Sequence, residues 1–384
     1  MKQYIIFGAG DYGKIAFHHY GYDAVACFMD NNPAKIGTEL FGKKIIAATE
    51  AAEFKDDYCF VVASIYSSSM IKQLQENGIT DYIVFTGKLH GYYDSGELIV
   101  NPYDALPDAG SEKEWIDSEK LKYARQAVND EAEELYGKEQ LFNHIEIETI
   151  NRCNGVCDFC PVNKNADPRE KAVMPEELFC HIVDELEALN YAGRFTTFSN
   201  NEPLLDERIV RFNQYARKHL PNARMHLYTN GTLLTLETFL ALVEVLDELI
   251  IDNYQQELKL IKPCRIIAEY CEEHPKLKEK VTIVLRKPHE ILTSRGGTAP
   301  NRKELPSYGK DRCILPYKQM IVRPTGQVSL CCNDAIGKYT LGDLSKESIT
   351  DVWYGPRFRM VRECLYKGRE NWGNCQYCDT FSVG

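Results

Sequence analysis

The spacing of the cysteines constrains this chain more than any other feature of its sequence. The chain has 14 cysteines among 384 residues, and half of them fall into two groups with regular spacing. Its first residues run from a short apolar strand into glycines, without the apolar core and cleavage site of a secretory signal. We therefore expect a cytoplasmic protein with reduced thiols, and clusters of reduced thiols indicate metal binding.

The first group is a CxxxCxxC pattern made by Cys153, Cys157 and Cys160. Three thiolates on one loop can ligate three irons of a 4Fe–4S cluster and leave the fourth iron open for another ligand. The alternative is zinc, but a closed zinc site prefers four protein ligands and this loop offers three. The pattern therefore favours an iron–sulfur cluster with one open coordination position.

The second group, near the C-terminus, has the pattern CX12GX4C…CxxC and consists of Cys313, Gly326, Cys331, Cys375 and Cys378. Its four thiolates can ligate one 4Fe–4S cluster completely, although four cysteines also suit a structural zinc ribbon. The other seven cysteines are two spare ligand candidates, Cys332 and Cys364, and five that we interpret as buried thiols, Cys27, Cys59, Cys180, Cys264 and Cys271.

The hydrophobic pattern predicts an α/β chain in which strands alternate with helices, so we expect parallel sheets. One such unit covers residues 1–90 and is Rossmann-like. A turn-rich linker and an acidic helical segment follow over 91–140, with the helix at 112–139. Residues 141–300 contain at least five βα-like units, which favours a parallel barrel with functional groups at the C-termini of its strands. Residues 301–384 break into short strands, turns and cysteines.

With these motifs, residues 141–384 resemble the radical S-adenosylmethionine (SAM) superfamily. The resemblance implies a partial (β/α)6 barrel, with the CxxxCxxC loop after its first strand and SAM bound to the open iron. It also implies that Phe159 packs against the adenine of SAM. Cleavage of SAM in that family gives a 5′-deoxyadenosyl radical, which takes hydrogen from an unactivated C–H bond.

Further motifs follow in the order of that family and imply contacts with SAM. The segment Asn200-Asn201-Glu202-Pro203 stands where the family has a Gly-Gly-Glu-Pro-like segment after the second strand, and Glu202 would accept a hydrogen bond from the SAM amino group. Thr229-Asn230-Gly231 matches the turn after the third strand. Asp252 and Asn253 end the fourth strand, where polar groups usually contact the ribose.

The second cysteine group resembles the auxiliary-cluster domain of the SPASM/twitch radical SAM proteins. It is closer to the shorter twitch type, which includes a cyclitol dehydrogenase of butirosin biosynthesis. The resemblance implies two 4Fe–4S clusters and SAM as cofactors. It also implies a two-electron oxidation, such as alcohol to ketone, in which the auxiliary cluster accepts an electron.

Two residues are candidates for the catalytic roles. Arg295, in Ser294-Arg295-Gly296-Gly297, lies where the butirosin-type relative has an arginine that contacts the substrate hydroxyl. Its guanidinium is a poor base, so it would orient the hydroxyl and favour its deprotonation electrostatically. Glu146 and Glu148 lie on the first barrel strand, and we expect only one of them, Glu146 in our assignment, to face the interior and contact substrate.

The N-terminal unit contains a glycine-rich loop with the GxGxxG spacing, between a strand and a helix. Gly8, Gly10 and Gly13 form the loop and Asp30 ends the second strand, an arrangement that points a helix N-terminus toward phosphate. The segment also resembles the N-terminal domain of sugar acyltransferases of the PglD type, which holds part of a nucleotide-sugar site. A nucleotide-sugar, NAD, or no ligand at all remain open for this unit.

Charge and composition limit the classes of molecule that we expect as binding partners. The formal net charge is -11 and the sequence has no block rich in Lys and Arg, so we expect neither nucleic acid nor an anionic membrane as a partner. The main hypothesis is a radical SAM oxidoreductase that acts on a carbohydrate-like small molecule, free or nucleotide-linked, with electrons from a flavodoxin-type reductase. The alternatives are a radical SAM peptide maturase or epimerase, and a zinc-stabilised nucleotide-sugar-binding protein without catalysis.

Overall fold

The computed structural model describes residues 3–64, 67–85, 112–289, 291–302 and 305–381. These residues form two compact units, the first within 3–85 and the second within 112–381.

The first unit is built on one sheet. Its strands are β1 (Tyr4–Phe7), β2 (Val25–Asp30), β3 (Glu39–Leu40), β4 (Lys43–Ala47), β5 (Cys59–Val62) and β6 (Tyr82–Val84). Its α-helices are α1 (Asp11–Tyr20) and α2 (Ser67–Glu76). The strands lie in the order β3-β4-β2-β1-β5-β6, and all neighbours are parallel except the β3–β4 pair.

The strand β1 shows why this sheet is covered on both faces. Ile5 and Phe7 pack into one apolar cluster, and Ile6 packs into another on the opposite face. A short continuous apolar run is typical of a strand in a parallel sheet that is buried on both sides. The glycine loop follows β1 and therefore lies at the carboxyl edge of the sheet. The strand order reverses at β1, and ligands of such sheets commonly bind at this point.

The second unit begins with the long helix α3 (Glu112–Leu135). Its strands are β7 (His144–Ile147), β8 (Arg194–Thr196), β9 (Arg224–Thr229), β10 (Glu248–Tyr254), β11 (Val281–Arg286), β12 (Gln319–Val322), β13 (Gln327–Ser329) and β14 (Thr340–Asp343). Its other α-helices are α4 (Glu176–Ala188), α5 (Ile209–His219), α6 (Leu236–Val245), α7 (Lys262–Glu273), α8 (Pro275–Lys278), α9 (Leu315–Lys318), α10 (Ile349–Trp353) and α11 (Pro356–Lys367).

The sheet of the second unit joins the barrel strands to the C-terminal segment. The order is β11-β10-β9-β8-β7-β12-β13-β14, with β7 to β11 parallel, β12 parallel to β7, and β13 and β14 antiparallel. The described part of 141–300 therefore has five strands, one fewer than the expected six. After β11 the chain runs through Gly296 and Gly297 in left-handed conformations, which do not continue a strand, and β12 takes the place beside β7.

The helices between the strands cover the outer face of this sheet with apolar residues. In α4 the buried residues Phe179, Ile182, Val183 and Leu186 repeat at helical spacing and join the main core. The prediction of buried thiols is confirmed for two positions in α7, Cys264 and Cys271, which are fully buried; the other three are partly exposed.

The helix α3 ends four residues before the expected position at 139. Gly137 lies beyond it with φ of +76°, a left-handed conformation that commonly follows the end of a helix. Across the described residues, no helix combines the length and apolar character that crossing a lipid bilayer requires.

Candidate active site

The loop after β7 carries the first three cysteines close together. The Gly155 amide donates a hydrogen bond to Cys153 Sγ at 3.2 Å. A Cβ added at Gly155 would lie 3.3 Å from Cys153 Sγ and 3.8 Å from Cys157 Sγ, so the glycine leaves open a concave space lined by sulfur. Cys160 acts electrostatically on both of these thiols, which places the third sulfur in the same group.

The number of thiols in each group fits a cluster. A closed zinc site prefers four protein ligands, whereas the loop after β7 supplies three, which suits a 4Fe–4S cluster with one open iron. The four thiols of the C-terminal group are enough to ligate a second cluster completely.

The segment expected to bind SAM is fixed to this loop through Glu202. Its amide donates to the Arg152 carbonyl at 2.8 Å. Its carboxylate accepts bonds from the Leu204 amide at 3.1 Å, the Thr229 hydroxyl at 2.7 Å and the Asn230 amide at 2.7 Å. The ends of β8 and β9 thus meet beside the cysteine loop, as the motif order predicts.

The fourth strand brings only one of its two predicted residues to the site. Asp252 acts electrostatically on Cys157 and Glu202, and it lies 3.7 Å from the guanidinium of Arg286. Asn253 lies on the opposite face of β10, because successive side chains of a strand alternate. Its side-chain amide bonds the carbonyl of Lys259 and the amide of Ile261, away from the cysteine loop, and the expected contact with SAM stays a prediction.

Phe159 lies at the edge of the same group. It is 8% exposed, and its ring centroid is 5.9 Å from that of Tyr254 at an interplanar angle of 42°. The position beside the cysteines agrees with the expected packing against adenine, which stays a prediction.

Asn200 connects the strand end to the other predicted site residues. Its Nδ2 donates to the carbonyl of Cys332 at 3.1 Å, and its Oδ1 accepts a bond from Arg295 Nη2 at 2.5 Å. Arg295 is held in a left-handed backbone conformation with φ of +50°, a strain that is often found at functional sites. Asn201 accepts from the Ser199 amide, and its buried Nδ2 has no partner among the described residues.

Glu146 on β7 and Glu148 just after its end are both buried, which corrects the expectation that only one faces the interior. Residues two apart in a strand share a face, so Glu146 and Glu148 point the same way. Glu146 lies near Ser199 and Arg295, and burial raises its pKa to about 7. Glu148 pairs with Arg169 at 3.2 Å and accepts a bond from the Asn200 amide at 3.0 Å.

Arg169 is a site residue that no sequence motif indicated. Its side chain is 9% exposed and bonds the carboxylates of Glu148 and Asp167 and the carbonyls of Asn151 and Asn200. It therefore fixes the loop after the cysteines to the end of β8. The only signal in the sequence is a charged pair, Asp167 and Arg169, close behind the cysteine pattern.

The second cysteine group surrounds a cavity within the C-terminal segment. All four predicted ligands line one small cavity, together with leucine, proline and arginine side chains: Cys313, Cys331, Cys375, Cys378, Leu315, Pro316, Leu330, Leu365 and Arg369. The four thiols act electrostatically on one another. The apolar lining and convergent thiols fit a fully ligated cluster.

Arg369 is a second residue that the sequence did not single out. It is 1% exposed, and its guanidinium donates to the carbonyls of Arg312, Cys378 and Thr380. Burial raises the pKa of Cys313, and the positive charge of Arg369 opposes this rise. A buried cation beside this cavity favours an anionic occupant such as thiolate-ligated iron.

The spare cysteines are placed differently. The charges of Glu146 and Arg295, on the side of the barrel interior, act on the Cys332 thiol. Cys378 and Cys313, from the second cysteine group, act on it as well. Cys364 is partly exposed on α11 and does not line the cavity of the second cysteine group. Cys332 is therefore a site residue that sequence spacing did not assign.

The glycine loop of the first unit is closed by its own aspartate. The Asp30 carboxylate accepts bonds from the amides of Ala9 and Asn32, both at 2.8 Å, and lies 3.2 Å from Lys35 Nζ. A Cβ at Gly8 or Gly13 would clash with backbone carbonyls at 2.3 and 1.8 Å, whereas one at Gly10 would meet nothing within 4 Å. Asp30 is thus engaged with the loop, and its role in holding ribose stays a prediction.

Comparison with known proteins agrees with this geometry. Residues 147–255 match the radical SAM superfamily, and residues 313–379 match SPASM, an iron–sulfur cluster-binding domain. A relative from Niallia circulans, S-adenosyl-L-methionine-dependent 2-deoxy-scyllo-inosamine dehydrogenase, is 28% identical over 246 residues, which are 64% of this chain and 96% of the relative. The crystal structure of BtrN in complex with AdoMet and 2-DOIA superposes with a TM-score of 0.54 at 26% identity, over 63% of this chain and 95% of BtrN.

These matches confirm the interpretation of both cysteine groups. The radical SAM domain binds SAM and a 4Fe–4S cluster, and the SPASM domain binds auxiliary iron–sulfur clusters. The two domain matches argue against the hypothesis of a zinc-stabilised protein without catalysis. The chain is a radical SAM enzyme with a C-terminal SPASM domain.

Proposed function

We propose that this enzyme oxidises an alcohol of a carbohydrate-like small molecule, such as a cyclitol or sugar, to a ketone. The observation that carries the proposal is the buried placement of Glu146 near Arg295, inside the barrel and next to the segment that follows Cys331. The dehydrogenase activity in the name of the Niallia circulans relative supports the same reaction class.

Cys153, Cys157 and Cys160 would hold the first cluster, and the four cysteines around the C-terminal cavity would hold one auxiliary cluster. When bound, SAM and the first cluster supply hydrogen-atom abstraction from a C–H bond, and the auxiliary cluster supplies an acceptor for one electron. A one-electron donor of the flavodoxin type, in the reducing cytoplasm, would suit these thiol-bound clusters.

The chain's own residues would control the proton of the substrate hydroxyl. Glu146 would accept that proton on its carboxylate, because burial raises its pKa to about 7 and a base near the working pH is efficient. Arg295 would orient the hydroxyl and stabilise negative charge on its oxygen. Asn200 would hold Arg295 in position through the bond of 2.5 Å from Nη2 to Oδ1.

The experiment uses anaerobically reconstituted enzyme with SAM, a reductant and 2-deoxy-scyllo-inosamine as the probe. We expect 5′-deoxyadenosine and a ketone in equal amounts, and a rate that rises with pH around 7 as Glu146 ionises. Glu146→Gln should lower the rate by about 10²–10⁴-fold and remove this pH dependence. Formation of 5′-deoxyadenosine without any ketone would contradict the proposed oxidation.

One observation favours epimerisation as a second candidate function. The charges of Glu146 and Arg295 act on the buried Cys332 thiol, and a thiol on the substrate side of the barrel could return hydrogen to a substrate carbon. In D2O, epimerisation would place one deuterium on the reacting carbon of the probe, and Cys332→Ser would abolish that incorporation. Cys364→Ser, at a cysteine that does not line the cavity of the second group, is the matched control.

A further inference from the structure

Several buried polar atoms inside the barrel have no hydrogen-bond partner among the described residues. They lie on five different strands and are His144 Nε2, Arg194 Nε, Thr196 Oγ1, His226 Nδ1, Thr282 Oγ1 and Gln319 Oε1. Buried polar groups in folded proteins are nearly always satisfied, by protein or by ordered water. A concentration of such atoms in one region therefore indicates internal water.

Strand register places these side chains on the same inner face as Glu146. In the parallel β7–β8 pair, His144 lies opposite Arg194, and Glu146 lies opposite Thr196. Paired residues of neighbouring parallel strands project to the same side of the sheet. The ring of His226, on β9, lies 5.3 Å from the ring of His144, so the third strand contributes to the same space.

The unpartnered polar atoms lie close to the Glu146 carboxylate. His144 Nε2 is 3.8 Å from Glu146 Oε1, a separation too long for a direct hydrogen bond. The other ring nitrogen, Nδ1, is 3.3 Å from the amide nitrogen of Gln319. Burial lowers the pKa of His144 to about 3 and lowers that of His226 as well, so both rings are neutral. A neutral imidazole has one donor and one acceptor nitrogen, as a hydrogen-bonded water chain requires.

We propose that ordered water molecules occupy the barrel interior below Glu146 and link its carboxylate through Thr196 and His144 to His226. These water molecules would solvate the Glu146 carboxylate in its ionised form. The role in turnover rests on the proposed function, in which Glu146 is the base. The water site itself rests only on the unpartnered atoms and the strand register.

Other charged and titratable groups also face Glu146, and they bear on its titration. Three of them lie on strands: His144 on β7, Arg194 on β8 and Tyr228 on β9. Arg295 lies in the loop after β11, and Cys332 lies in the segment after β13. Thr196 carries no charge and does not titrate. Its replacement therefore changes the water without changing this set of charges.

The test replaces Thr196 by valine in the enzyme with both clusters bound. If water bonds the hydroxyl, Thr196→Val lowers the denaturation midpoint and raises the midpoint of Glu146 titration by about one pH unit, because the carboxylate loses solvation. Infrared spectroscopy with ¹³C-labelled glutamate follows that titration, and Glu146→Gln identifies its band. Neither readout requires substrate turnover, so failure of the proposed oxidation would leave this result intact.

Thr197→Val is the matched control. Thr197 is the next residue, its side chain points to the opposite face, and its hydroxyl accepts a bond from Asn213 Nδ2 at 2.8 Å. This variant should lose stability without moving the Glu146 titration. His226→Phe is a second test variant and should shift the titration in the same direction as Thr196→Val.

A dry interior would give the opposite result. Removing an unsatisfied buried hydroxyl stabilises a protein, so Thr196→Val would then raise the denaturation midpoint and leave the Glu146 titration unchanged. A crystal structure of the enzyme at high resolution provides the direct check. Absence of ordered water within hydrogen-bond distance of Thr196 Oγ1 and His226 Nδ1 would overturn the proposal.

Discussion

Asn200 joins several parts of the site through one side chain and its own peptide groups. Its amide bonds Glu148, its carbonyl accepts from Arg169, and its side chain bonds Arg295 and Cys332. A glycine at this position could make only the two backbone contacts. The asparagine therefore positions Arg295, a task that the family resemblance did not imply.

At the same scale, the three cysteines of the CxxxCxxC loop give a direct prediction. Replacing Cys153, Cys157 and Cys160 by alanine removes all thiol ligands of the first cluster, and SAM cleavage should be abolished. One cluster should remain, so iron should fall from about eight to about four per chain. The measurement is 5′-deoxyadenosine formation together with iron and sulfide content. Unchanged SAM cleavage would refute the assignment of this loop.

Among the elements, the strand β7 shows how register determines chemistry. His144, Glu146 and Glu148 share one face, and each meets a different neighbour: Gln319, Arg295 and Arg169. The ion pair with Arg169 holds the Glu148 carboxylate in place, whereas no ion pair with Arg169 holds that of Glu146. A shift of one residue in the pairing of β7 would turn all three polar side chains outward.

The helix α3 is fixed to the C-terminal segment by ion pairs, one of which is nearly buried. Lys318 Nζ lies 2.7 Å from Glu131 Oε1, and their side chains are 10% and 17% exposed. Glu131→Gln removes the carboxylate that faces this ammonium, and we expect the free energy of unfolding to fall by about 1–3 kcal/mol. Denaturant unfolding followed by circular dichroism measures the change.

A pair on α11 provides the control for this prediction. Lys367 and Glu363 are 2.7 Å apart but are 61% and 57% exposed, so water screens their attraction. Glu363→Gln should change the free energy of unfolding by less than about 0.5 kcal/mol. Equal losses in the two variants would show that burial does not strengthen the α3 contact.

In the whole molecule, the two cysteine groups belong to one compact unit, and a single sheet runs from the barrel strands into the C-terminal segment. The parallel pair β7–β12 makes this connection. The segment that carries Cys332 is thereby brought to the barrel interior, where its carbonyl meets Asn200. The auxiliary ligands and the substrate side of the barrel are thus placed by the same sheet.

This arrangement predicts that the auxiliary cluster can be removed separately. Replacing Cys375 and Cys378 by alanine should lower iron from about eight to about four per chain, while the remaining cluster still changes its EPR signal when SAM is added. Measurement of iron, sulfide and EPR on anaerobically reconstituted protein makes the comparison. Unaltered iron content would show that the C-terminal cysteines do not hold a cluster.

The sequence by itself determined the two thiol groups, the Glu-Pro and Thr-Asn-Gly segments and the alternation of strands and helices. These are local patterns, because a loop of closely spaced cysteines or a strand of alternating residues is encoded within a few positions. They were enough to predict the radical SAM and SPASM domains, and the individual cluster ligands stay predictions. The sequence also indicated the glycine loop, whose ligand stays a prediction.

Only the tertiary structure decided which polar residues face the site. Arg169 meets Asn200 across 31 positions and Cys332 meets Asn200 across 132, and no local pattern encodes such pairs. The same packing turned Asn253 away and engaged Asp30 with its own loop. The physical reason is that a buried charge or amide takes the partner that the folded chain brings within hydrogen-bond distance, whatever its separation in sequence.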